Sequence, residues 1–105
     1  MTEKASPAAL GRFGEPATLV LLSLVSGPKH GYAIMLNVEE EMGFKLGPGT
    51  LYGAIAKLIK LGMIRAIKTK DRAKPYQITD SGREAVSEYL RTWSPIIALG
   101  KKRLA

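Results

Sequence analysis

The stretch PGTLYGAIAKLIKLG, residues 48–62, limits what this chain can fold into more than any other part of it. Pro48 suits a first helical turn and Gly62 a C-terminal stop. At about 100° per residue, Leu51, Ile55, Leu58 and Gly62 fall within about 60° of one another, and Ile59 and Tyr52 broaden that side. A helix with this pattern has one side to bury. Opposite it, Thr50, Gly53, Lys57 and Lys60 share an arc of about 80° that is slim, polar and basic. Gly costs on the order of 1 kcal/mol against Ala in a helix interior, so Gly53 marks either the close approach of another surface or a tolerated exposed position.

The flanking segments supply partners for the apolar side. PATLVLLSLV, after Glu15 and with Pro16 in a helix-start position, is apolar on nearly every side and reads as a buried central helix ending at Ser26-Gly27-Pro28. GYAIMLNVEEEMG sets Ile34, Met35, Val38 and Met42 on one face of a second, amphipathic helix stopped at Gly43. Glu39, Glu40 and Glu41 fan around that helix as a solvated face and do not converge on a metal. After Gly62, MIRAIKT, KDRAK and PYQI alternate apolar and polar residues about a charged centre, which predicts a two-stranded hairpin with a basic tip; Ile64 and Ile67 break the alternation.

Thr79 is placed to cap a last helix, along which Val86, Leu90, Trp93, Ile97 and Leu104 fall within about 60°. Pro95, on the opposite side, either bends a continuous helix or, with Ser94, starts a new one. A domain of this size offers too little surface to cover the seam, so an isologous dimer is expected through Val86, Leu90, Trp93 and Ile97, with Tyr89 beside them. Residues 1–15, rich in Ala, Gly, Ser and Pro, are expected to be an arm, flexible or with one helical turn.

Charge is concentrated where the slim helix and the hairpin meet. Residues 57–74 hold seven of the basic residues (Lys57, Lys60, Arg65, Lys68, Lys70, Arg72, Lys74) and one acid, Asp71, so almost all of the net +7 of the 105-residue chain lies there. A focused positive patch attracts polyanions, and nucleic acid is the expected partner. The absence of Cys excludes disulfide frameworks, thiolate metal sites and thiol nucleophiles. His30, the one histidine, has no carboxylate cluster near it and is expected to shape the turn into the second helix. No phosphate-binding glycine loop or catalytic triad is discernible, so no enzyme activity and no cofactor or metal is expected. Apolar runs are too short to span a bilayer, and the first residues lack a secretory h-region, which predicts a soluble cytoplasmic protein without membrane contact.

The resulting fold class is mainly α with a small β-hairpin: a winged helix-turn-helix in the order α-α-α-β-β-α over residues 16–80, followed by a C-terminal dimerisation helix at 81–105. In this motif a recognition helix, here 48–61, enters the major groove while the preceding helix crosses the backbone. Lys57 is expected at a base edge, Lys60 at phosphate, and Thr50 at a phosphate or a thymine methyl. Tyr52, on the edge of the core side, either gives its hydroxyl to a phosphate or packs. Lys70, Arg72 and Lys74 form the wing, directed at the DNA backbone or minor groove. Dimeric recognition would use half-sites about one helical turn, ~34 Å, apart on a pseudo-palindrome. A winged-helix module that binds protein instead of DNA is the competing reading.

Three stretches, LSLVSGPKHGYAI at 22–34, PGTLYGAIAKLIKLGMI at 48–64 and PYQITDSGRE at 75–84, resemble the PadR-like transcriptional regulators. The short C-terminal part resembles the compact subgroup of that family. The resemblance implies a dimeric DNA-binding repressor whose last helix dimerises and whose promoter occupancy responds to a small aromatic molecule or another signal, with Trp93 as a candidate for stacking on such a ligand. Gly47 and Gly53 depart from residues common at the matching positions of relatives, so contacts of the helix start do not transfer by resemblance.

Overall fold

The computed structural model describes residues 15–105, so all of the expected arm except Glu15 lies outside the described residues. The elements are α1 (Pro16–Val25), α2 (Gly31–Asn37) continued by a π turn (Val38–Met42), α3 (Pro48–Lys60), β1 (Ile64–Ala66), β2 (Tyr76–Ile78) and α4 (Asp80–Leu104). This is the expected winged helix-turn-helix order.

Helix α1 starts on Pro16, whose fixed φ and missing N–H suit the first turn. It buries Leu19, Val20, Leu21 and Leu24, and α2, α3, β2 and α4 all pack against it. Ile34 and Val38 close one side of this core, Leu51, Ala54, Ile55 and Leu58 of α3 another, and Ile64, Ile78 and Val86 the base.

The second helix runs as α only to Asn37; Val38–Met42 widens to π geometry before Gly43, at φ 77°, ends it. The wider turn is accommodated because Val38 stays fully buried and Met42 remains packed against the core. Helix α3 ends as expected, with Gly62 at φ 75° and the Met63 N–H bonded to the Leu58 carbonyl at 2.9 Å.

The hairpin pairs Ile64 with Ile78, Arg65 with Gln77 and Ala66 with Tyr76. Its broken alternation has a simple cause: β1 stops at Ala66, and Ile67 belongs to the loop, where its N–H bonds to the Pro75 carbonyl. A further backbone pair joins Lys29 to Tyr76, N–H to carbonyl in both directions at 3.1 and 2.8 Å, so the turn before α2 acts as a short third strand. Lys29 also ties this turn to the end of α1, its Nζ donating to the Ser23 carbonyl and to Ser26 Oγ.

Thr79 caps α4 as expected: its Oγ1 accepts from the Gly82 N–H at 3.1 Å and donates to the Gly62 carbonyl at 2.7 Å. A Cβ on Gly82 would collide with the Met63 carbonyl, so glycine is what lets the helix start this close to the β1 turn. Helix α4 continues through Pro95 to Leu104 without a break. No helix among the described residues is long and apolar enough to cross a membrane.

Candidate nucleic-acid interface

Helix α3 presents the residues expected to read DNA, and all of them are exposed, but its two flanks have different neighbours. Thr50, Gly53 and Lys57 border a shallow recess with Glu15, Pro16 and Ala17 at the start of α1. Within it, Lys57 Nζ lies 3.3 Å from Glu15 Oε1, an ion pair between two solvent-accessible side chains. The ammonium expected at a base edge therefore has an acidic partner within its own chain. Lys60 lies on the exposed side of the helix, where Gly49, Gly53 and Ala56 leave the backbone uncovered. A Cβ built on Gly49 or Gly53 meets no atom of a neighbouring described residue within 4 Å, so nothing among the described residues requires glycine at either position.

On the other flank, Tyr52 is half exposed, and its ring end rests on Gly31. Ile59, expected to widen the core side with Tyr52, is also about half exposed, so the buried stripe of α3 is narrower and is completed by Ala54.

Lys70, Arg72 and Lys74 stand exposed on the loop between β1 and β2. This loop is held at its base by the Ile67–Pro75 bond and within itself by the Asp71 N–H donating to Thr69 Oγ1. Farther out, His30 Nε2 sits 3.1 Å from the Ala73 carbonyl oxygen. His30 thus reaches the wing while its neighbour Gly31 receives Tyr52 of α3, so two consecutive residues contact both halves of the basic surface. Neither contact is visible as a local pattern, since each joins residues far apart in sequence.

The residues expected at a dimer interface divide along α4. Val86 is 9% exposed and belongs to the protomer's own core. Tyr89 and Trp93 are partly buried, with ring centroids 6.3 Å apart at 45°. Beyond them Leu90 and Ile97 are 50% and 40% exposed, and Ile96 and Leu99, which the seam did not include, are equally open. A groove of about 370 Å³ lies between α1, the end of α3 and the start of α4, lined by Leu21, Leu22, Leu61, Met63, Ala85 and Tyr89 with Glu15 and Lys57 beside them.

Sequence comparison decides the family. The profile described as "Transcriptional regulator PadR-like family" matches residues 20–88, from α1 into the third turn of α4. The chain belongs to the PadR-like family. Its members are transcriptional regulators and not enzymes. A PadR family transcription regulator from Clostridium difficile superposes on this PadR-like chain with a TM-score of 0.76 at 22% identity, covering 86% of this chain and 98% of that one, which establishes the shared fold. A transcriptional regulator from Clostridium thermocellum gives 0.74 at 25% identity over 93% and 95% of the two chains. RosR of H. salinarum gives 0.69 at 27% identity over 79% and 76%. In sequence, the PadR-like chain is 44% identical over 73 residues to an uncharacterized 37.1 kDa protein in transposon TN4556 of Streptomyces fradiae. That match takes in 70% of this chain but only 21% of the curated relative's length.

Proposed function

We propose that this PadR-like chain is a cytoplasmic, dimeric regulator that binds double-stranded DNA in a sequence-specific way and acts as a repressor. The observation that supports this most is the concentration of cation on α3 and the adjoining wing, with His30 and Gly31 touching both. In this reading α3 enters the major groove, with Thr50, Tyr52, Lys57 and Lys60 as contacts, and Lys70, Arg72 and Lys74 hold the flanking backbone or minor groove. Residues 16–80 act as the DNA-binding unit and 81–105 as the dimerisation helix. The exposed Leu90 and Ile97, with Tyr89 and Trp93 at their edge, form the interface; Val86 supports it from within the core. Release by a small aromatic ligand stacking near Trp93 belongs to the same proposal.

In vitro selection from a random duplex library tests it. A pseudo-palindromic sequence with half-sites about one helical turn apart is the expected product. Recovery of no preferred sequence, with salt-insensitive or absent binding, would favour a winged-helix module that docks on protein.

A further inference from the structure

The wing is a long loop on a very short hairpin: nine residues, Ile67–Pro75, separate two three-residue strands. Strands this short define the direction of such a loop poorly, because they contribute few ladder bonds and no buried side chain beyond Ile64 and Ile78. Four cations (Lys68, Lys70, Arg72 and Lys74) on a loose loop lose much of their value, since ordering them on a phosphate backbone costs conformational entropy at the moment of binding. Among the described residues, the side chain from outside the hairpin that hydrogen-bonds to this loop is His30, and it does so at Ala73, between Arg72 and Lys74. A carbonyl oxygen only accepts, so the Nε2–H of His30 donates.

The anchor itself is well fixed. Lys29 is paired with Tyr76 through both backbone groups, and its side chain is bonded to the end of α1. Gly31, on the other side of His30, is buried beneath Tyr52. The backbone that carries the imidazole is thus held on both sides, by the Lys29–Tyr76 pair and by the packing of Tyr52 on Gly31. We infer that His30 is a positioning residue for DNA binding, which holds the wing at a set angle to α3 through its hydrogen bond to the Ala73 carbonyl. This inference rests on the DNA-binding reading above. In this role His30 acts through the wing, by presenting Arg72 and Lys74.

The test uses the full-length chain and a 30-bp duplex recovered by selection on the parent protein. His30→Ala should lower affinity roughly three- to tenfold, the scale of removing one hydrogen bond. It should also flatten the dependence of log K on log salt by about 0.9 for each phosphate that the wing no longer reaches. His30→Gln, which keeps an N–H donor at the same reach, should stay within about twofold of the parent. In a Lys70→Ala/Arg72→Ala/Lys74→Ala background, His30→Ala should have little further effect, because Arg72 and Lys74, the charges that flank its bond to the loop, are gone. A loss of equal size in that background, a glutamine variant as weak as alanine, or an alanine variant that binds like the parent would overturn the inference. Failure of the parent to bind any duplex would overturn the DNA reading first, and this inference with it.

Discussion

Tyr52 occupies the space that a side chain on Gly31 would need: a Cβ built on Gly31 comes within 2.9 Å of Tyr52 Cζ and closer still to the hydroxyl oxygen. The two most distinctive motifs of the chain, HGY at 30–32 and PGTLY at 48–52, are therefore two sides of one contact, and it sets the distance between α2 and α3. Gly31→Ala should destabilise the fold by about 1–3 kcal/mol through overpacking. Combining it with Tyr52→Ala should cost less than the sum of the single changes, as expected of groups in contact. Urea unfolding of the four proteins measures both, and strict additivity would mean that the two residues do not press on each other.

Glu15 and Lys57 give a prediction of opposite sign for binding. Both side chains are substantially exposed, so their pairing contributes less than ~1 kcal/mol and Glu15→Gln should hardly move the melting temperature. Removing the carboxylate frees the Lys57 ammonium for the major groove, and affinity for DNA should rise roughly two- to fivefold. Titration of a labelled duplex with each protein decides it; weaker binding by the variant would mean that Glu15 holds Lys57 in its working position.

Gly53 separates folding from binding. A methyl group there meets nothing among the described residues, so Gly53→Ala should stabilise α3 by up to about 1 kcal/mol. The same methyl would stand between the helix and the floor of the major groove, so DNA affinity should fall. Thermal melts and binding curves on one preparation test the pair of effects. A variant both more stable and equally tight would show that no surface approaches Gly53.

The outer half of α4 should need a second copy of the chain. Leu90→Asp and Ile97→Asp change exposed positions, so each variant should keep its fold while sedimenting as a monomer and losing affinity for a two-half-site duplex. Parent protein that already sediments as a monomer at micromolar concentration would contradict this arrangement.

Residue order makes legible whatever repeats over short spans. The spacing of Leu51, Ile55 and Leu58, the stop at Gly62 and the cap at Thr79 are local, and each stands where periodicity and capping chemistry put it. The π turn at Val38–Met42 is illegible because Val38 and Met42 stay on the core side in both geometries, leaving the apolar pattern unchanged. Val86 reads as part of an outer seam, since periodicity along α4 gives a side but not the neighbour that covers it; the hairpin folds the first turns of that helix back onto α1. The Glu15–Lys57 and His30–Ala73 contacts join positions more than forty residues apart, and no short-range signal marks them.

The salt dependence of DNA binding decides whether α3 and the wing work together on the phosphate backbone. Between 50 and 200 mM salt, a chain using α3 and the wing for some 6–10 phosphate contacts per dimer should lose roughly 10³–10⁵ in affinity for its selected duplex. The Lys70→Ala/Arg72→Ala/Lys74→Ala variant should bind more weakly and with a visibly shallower slope. Equal slopes for the two proteins, or binding indifferent to salt, would contradict the assignment of the basic wing and α3 to DNA.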